Sequence, residues 1–203
     1  MARDVVGVIL AGGLARRMGG GDKALKLLAG RTLLDRTIER ARPQVAHLVL
    51  NANGDPVRFH ATGLTVVPDS LSGFLGPLAG VLAALDWAAE RHPACSTVAS
   101  FATDAPFFPL DLVARLEAGR RQASQPLACA RSAGQVHPVF GLWPVNLRGD
   151  LRRALEAGER KIDRWTAKHG IALVDFAAEP SDPFFNVNTP DDLSRAEALV
   201  AVS

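Results

Sequence analysis

Cysteine is scarce: among 203 residues only Cys95 and Cys129 carry a thiol, and they form no CxxC pair. That excludes a disulfide framework and a cysteine-built zinc site, and it fits a reducing, cytoplasmic setting. Both thiols read as small, partly buried hydrophobes. Long apolar runs are lacking too. The opening MARDVVGVILAGG places an acidic residue before a short apolar run that ends in glycines, so neither a membrane span nor a signal peptide is expected. Charge is nearly balanced, with 23 Lys and Arg against 21 Asp and Glu and a formal charge of +2. Nucleic acid and membrane surfaces are therefore not expected partners, and any anion binding must be local. Internal repeats and low-complexity linkers are absent. What remains is a chain with 48% hydrophobic residues, enough for one substantial core.

The order of patterns predicts a layered α/β fold. VVGVILAGG is a β-branched run stopped by glycines, as in a strand buried on both faces of a parallel sheet. RTLLDRTIERARPQ has helical spacing and ends at Pro43. AHLVLNAN, LTVVPDS and STVASFATDAP read as further strands, each closing on a polar residue. GPLAGVLAALDWAAERH and PLDLVARLEAGRRQ read as helices, the first opened by Pro77. After Gln125 the alternation breaks. PLACARSAGQVHPVFGLWPV predicts two strands joined through Ala133 and Gly134. LRGDLRRALEAGERKIDRWTAKHG then reads as helix, IALVDF as strand, and a last helix starts at Pro190. Trp87, Trp143 and Trp165 are expected to fill core or interlayer space. Residues 1–203 are taken as one domain whose two halves meet near Gln125.

Ligands of open α/β sheets lie beyond the carboxyl ends of the strands. There the first strand delivers Leu10, Ala11, Gly12 and Gly13, the second Asn51, the third Asp69 and the fourth Asp104. Gly12 and Gly13 lack a Cβ and let backbone N–H groups approach a ligand, while Arg16, Arg17 and Lys23 add positive charge. The pattern is neither GxxxxGK[ST] nor GxGxxG, and the glycines read equally as a surface turn. Asp104 suits a hard cation shared with phosphate oxygens, or a turn ahead of Pro106. Asp69 likewise reads as a strand-end carboxylate or a turn former, and Asn51 suits either a base or ribose edge or a turn.

LAGGLARRMGGGDKAL, NAN, PDS, GPLAG, TDAPFFPLDL, HPV, GERK and FFNVNTPDDL occur in this order over nearly the whole chain. In this it resembles the molybdenum cofactor guanylyltransferase family, within the wider group of nucleotidyltransferases that make nucleotide sugars. The resemblance implies a three-layer α/β/α, Rossmann-like fold with a mostly parallel mixed sheet. It implies transfer of GMP from GTP, with Mg²⁺, to molybdenum-loaded molybdopterin, with release of pyrophosphate. Nucleotide contacts are implied for Leu10, Ala11, Gly12, Gly13, Lys23, Asn51, Asp69 and Asp104, the metal for Asp104, and acceptor contacts for Asn186 and Asn188. About residues 1–125 become a nucleotide-binding half and 126–203 an acceptor-side half. Implied partners are GTP, molybdenum-molybdopterin and, downstream, molybdoenzyme apo-proteins or their chaperones. One departure is the run Gly19, Gly20 and Gly21, where the family commonly has a non-glycine before Asp22.

Such chemistry suits a chain with no evident nucleophile. A phosphate monoester with a second pKa of about 6 is mostly dianionic at neutral pH, so catalysis reduces to positioning and charge neutralisation. Arg17, Lys23 and a Mg²⁺ on Asp104 are assigned that work. Thr189 and Pro190 also read as an ordinary helix start. His137 lies on the acceptor side, either facing the pterin or packing; His47, His60, His92 and His169 are assigned to surface or packing. Basic runs, GERK among them, read as solvated helix faces, with Arg160 or Lys161 within the choices for an anionic acceptor. Two rivals stand beside this reading. One is a cytidylyltransferase on the same cofactor or a sugar-phosphate nucleotidyltransferase; relatives using CTP look like TAAG or LAAG at the first loop, whereas Gly12-Gly13 leaves purine-sized room. A non-catalytic nucleotide-binding adaptor for cofactor delivery would not need the retained Asp104 and Lys23.

Overall fold

A computed structural model describes residues 2–12, 20–73 and 76–201. The chain runs β1 (Ala2–Leu10), β2 (Leu27–Leu28), β3 (Arg31–Thr32), α1 (Leu33–Ala41), β4 (Val45–Asn51), β5 (Thr65–Val67), α2 (Pro77–Arg91) and β6 (Thr97–Ala102). It continues α3 (Leu112–Gln122), β7 (Leu127–Ser132), β8 (Gln135–Pro144), α4 (Arg148–Glu156), α5 (Ile162–Thr166), β9 (Ile171–Phe176) and α6 (Pro190–Ala201). Seven strands form the main sheet in the order β5-β4-β1-β6-β8-β7-β9. Only β8 runs against the others. The expected mostly parallel mixed sheet is therefore present, and the hairpin β7–β8 is what breaks the alternation.

Alternation along β1 sorts the two faces. Val5 and Ile9 pack with Leu34 of α1 and Leu112 and Leu116 of α3. Val6 and Val8 pack with Leu78, Leu82 and Leu85 of α2, Leu151 of α4 and Trp165 of α5. Helices thus cover both faces, and Val5, Val6, Val8 and Ile9 are at most 1% exposed. From Val5 to Leu10 neither face of the strand carries a polar side chain, as cover on both sides requires. Trp143 and Trp165 are fully buried with ring centroids 6.1 Å apart, as expected of core tryptophans. Both cysteines are buried and free, and burial pushes the Cys129 thiol up to about 11.

Local chemistry sets the element ends. Thr32 opens α1 through a reciprocal pair: its hydroxyl accepts from Asp35 N–H at 2.9 Å, and the Asp35 carboxylate accepts from Thr32 N–H at 3.3 Å. Thr189 and Asp192 repeat the device at α6, at 3.1 and 2.9 Å. The stretch after β8 corrects the sequence reading. Instead of one helix there are two, separated at Gly158 with φ of +93°. Glu159 then accepts the N–H groups of Arg160 and Lys161 at 2.9 and 3.0 Å, so GERK is a turn and not a helix face. Its carboxyl is held below the usual range chiefly by the Lys161 N–H.

Candidate active site

Register brings the predicted residues to one rim. Leu10 at the end of β1 pairs with Asn51 of β4 on one side and Ala102 of β6 on the other. Three strands therefore end level. Ala11 extends the ladder by donating to the Asn51 carbonyl at 3.0 Å. Gly12 is exposed, and a Cβ built there would meet nothing within 4 Å among the described residues. Gly13, Arg16 and Arg17 lie outside the described residues.

On the β4–β5 side the site is built from amides around one carboxylate. Asn51, 6% exposed, donates through Nδ2 to the Val67 carbonyl at 3.1 Å and to Asp69 Oδ1 at 2.9 Å. Asn53 donates to Asp69 Oδ2 at 2.7 Å and accepts from the Asp69 N–H at 2.9 Å. Both carboxylate oxygens are thus fixed by neutral amide donors at the rim. A carboxylate held this way acts as an oriented acceptor for hydroxyl or amino donors of a ligand. Gly80, in the first turns of α2, lies directly against this arrangement. A Cβ there would stand 2.2 Å from Asn51 Oδ1 and 2.7 Å from Leu10 Cδ2.

The β6 side carries the cation. Gly20 and Gly21 adopt φ of +81° and +77°, the left-handed region, and lead into a 3₁₀ turn that begins at Lys23. Lys23 Nζ lies 3.0 Å from Asp104 Oδ2 and also donates to Asn188 Oδ1. The lysine side chain is 12% exposed and the aspartate 32%. Asp104 stands two residues beyond β6, and its carboxylate pairs with Lys23 and not with a helix N-terminus. Its carbonyl accepts the Val187 N–H at 2.7 Å, which pins the stretch between β9 and α6 onto the site. Val187 is buried with Leu28, Leu33 and Ala196 beneath that contact. Asn188, expected toward the acceptor, therefore meets Lys23 in this structure. Asn186 is exposed and makes no hydrogen bond among the described residues.

Arg58 ties the two sides together. It sits in a 3₁₀ segment after β4, with Nε 2.6 Å from Asp22 Oδ2 in an ion pair whose N–H is not aligned for a hydrogen bond. Its Nη2 donates to the Asn53 carbonyl at 2.6 Å and its Nη1 to the Asp55 carbonyl. Contacts therefore run without a gap from Asn51 through Asp69, Asn53 and Arg58 to Asp22, next to Lys23. Sequence reasoning missed Asn53, Arg58 and Gly80 as individual residues. Asn53 had a signal, the second asparagine of the polar NAN stretch that closes β4; Arg58 had none.

His137 packs instead of facing a ligand. It is 6% exposed, its ring stacks on Phe184 at 4.6 Å, and Nε2 lies 2.7 Å from Ser132 Oγ. Ser132 donates to Asp182 Oδ1 at 2.8 Å, so its oxygen is left to accept from His137 Nε2–H. Burial lowers the His137 pKa, with Asp182 pulling partly the other way. The unfolded chain then takes up a proton near its ordinary value of about 6.5 that the folded chain refuses, so stability falls as pH drops through that value and levels off below the folded one. His92, also lowered by burial and then by His47, acts in the same direction. A His137→Gln variant isolates the first contribution: its thermal midpoint is expected to fall less steeply than that of the parent between about pH 7 and pH 5. Parallel curves would remove His137 from the acid response.

Comparison with known proteins fits this geometry. Residues 7–172 match the model of the MobA-like NTP transferase domain. A Bradyrhizobium protein named molybdenum cofactor guanylyltransferase is 57% identical over 98% of this chain and 94% of its own length. A Nitrobacter hamburgensis protein of the same name is 56% identical over 97% and 94%. The crystal structure of molybdopterin-guanine dinucleotide biosynthesis protein A from Archaeoglobus fulgidus superimposes with a TM-score of 0.74 over 98% of this chain and 100% of that one, at 22% identity, a likeness of fold. With a matching domain over most of its length and relatives this similar from end to end, the chain belongs to the MobA-like NTP transferases, in the family of the molybdenum cofactor guanylyltransferases.

Proposed function

We propose that this nucleotidyltransferase moves GMP from GTP onto the terminal phosphate of molybdenum-loaded molybdopterin. An acceptor phosphate oxygen attacks the α-phosphorus, the bond to the bridging oxygen toward the β-phosphorus breaks, and pyrophosphate leaves with that electron pair. No proton need be removed from an acceptor already dianionic with a second pKa of about 6. The observation that carries the reading is the joining, on one sheet rim, of a fixed carboxylate at Asp69 with a lysine–carboxylate pair at Lys23 and Asp104. Asp69, Asn51, Leu10, Ala11 and Gly12 take the nucleoside end, and Lys23, with Gly13 and Arg17, takes the phosphates. Asn186 and Asn188 serve the acceptor. Residues from about 1 to 125 then form the nucleotide half and 126–203 the acceptor half.

Mg²⁺ fits the donors present. Among the described residues no group of three His, Cys, Asp or Glu side chains could cage a metal. Mg²⁺ is commonly held by one or two carboxylates together with substrate phosphates, and Asp104 offers a hard oxygen of that kind. Bound there, the ion would neutralise charge on the departing pyrophosphate. No helix among the described residues is long and apolar enough to cross a membrane. The cysteine usage supports a cytoplasmic site of action, with the product passed to molybdoenzyme apo-proteins or their chaperones.

The test is pyrophosphate release with each nucleotide, Mg²⁺, and molybdopterin present or omitted. GTP with the acceptor is expected to release it, and CTP is not. Release with CTP alone among the nucleotides would make the chain a cytidylyltransferase. Nucleotide binding with no release would leave an adaptor.

A further inference from the structure

We infer that Lys23 is a tethered stand-in cation: without nucleotide its ammonium occupies the carboxylate that Mg²⁺ requires, so that the dication enters with the nucleotide and not before it. The inference rests on the nucleotidyl-transfer reading above and concerns the order in which that site fills. Its basis is the geometry of one pair. Nζ lies 3.0 Å from Asp104 Oδ2, and the lysine is the more deeply buried partner, 12% against 32% exposed. The ammonium is not held by the carboxylate alone, because Asn188 Oδ1 accepts from it as well. A dication approaching Asp104 therefore meets a fixed positive charge already on the same oxygen. Among the described residues no group of three His, Cys, Asp or Glu side chains could hold the ion in its place.

A triphosphate changes this balance. Lysine is a point charge on a flexible stem, and phosphate oxygens offer it several acceptors of higher charge density than one carboxylate and one amide. When Nζ moves to them, the Asp104 carboxylate and the Asn188 amide are released together. The backbone between them stays in place, because the Val187 N–H bond to the Asp104 carbonyl involves neither side chain. One lysine movement would then open the metal position and free an acceptor-side residue, coupling nucleotide, metal and acceptor. Such coupling is reciprocal, so metal must favour nucleotide as much as nucleotide favours metal.

Mn²⁺ is the probe, its free concentration followed by electron paramagnetic resonance with the intact chain. Without nucleotide, wild type and Lys23→Arg are expected to bind Mn²⁺ weakly, and Lys23→Met about tenfold more tightly. With GTP the order should reverse, wild type binding Mn²⁺ more tightly than Lys23→Met. Adding Asp104→Asn to Lys23→Met should abolish the gain. Lys23→Gln serves if the methionine variant does not fold. Equal Mn²⁺ affinity of wild type with and without GTP would overturn the inference, as would equal affinity of the methionine and arginine variants without it. Pyrophosphate release is measured separately, so a failed stand-in role leaves the transfer reading standing, and a failed transfer reading shows in that assay.

Discussion

Asp104→Ala is expected to lower pyrophosphate release from GTP by about 10³-fold while the chain remains folded. The loss follows from removing the carboxylate just beyond β6, which is placed to join a cation to phosphate oxygens. Folding is expected to survive for two reasons. The aspartate is 32% exposed, so water reaches the site once its carboxylate is gone, and Lys23 keeps a second acceptor in Asn188. The hydrogen bond that anchors the following segment uses the Asp104 carbonyl, which alanine retains. A thermal midpoint close to that of the parent, alongside lost release, is the result that places Asp104 in the chemistry. Undiminished release with Mg²⁺ as the only cation would take it out. Asp104→Asn sharpens the comparison, since it keeps the size and removes the charge.

The second large effect is expected at a position with no functional group. Gly80→Ala should raise the KM for GTP by about tenfold or more, because the new methyl would occupy the space of Asn51 Oδ1 at 2.2 Å. Asn51 cannot step aside freely: its amide is committed to Val67 and Asp69. Displacing it loosens one of the two donors that orient Asp69. Helix propensity works in the opposite direction, alanine being favoured over glycine by about 1 kcal/mol in a helix interior. Stability is therefore expected to change much less than nucleotide affinity. If the methyl acts through Asn51, adding Asn51→Ala should make the two losses less than additive. Strict additivity of the two KM changes, or an unchanged KM, would show that Gly80 does not shape the site.

Long elements were legible because their patterns repeat. The β-branched run of β1, the opening Pro77 of α2 and the Ala133-Gly134 turn each state their structure within a few residues. Leu10, Asn51, Asp69 and Asp104 could be placed on one rim because parallel strands end together and the sequence marks each end with a break in hydrophobicity. Three features escaped for different reasons. Strands β2 and β3 have two residues each, too few for any period to appear. The break between α4 and α5 depends on Gly158 at φ of +93°, and a glycine inside a helical pattern does not announce its φ. The roles of Arg58 and Gly80 reside in what lies opposite them after folding, Asp22 and Asn51, and no spacing encodes that. For His137 the sequence allows pterin contact or packing alike, because its partners Ser132, Asp182 and Phe184 meet it only after folding.

Lys23 and Asn188 meet across 165 positions of chain, and Lys23 and Asp104 across 81. Closures so distant along the polymer are late events in folding, since loop entropy must be overcome before they return any energy. On the ribosome, the first half could lay down its strands and still lack the asparagine that completes the lysine's surroundings. Only after Asn188 has been translated can it reach Lys23 there.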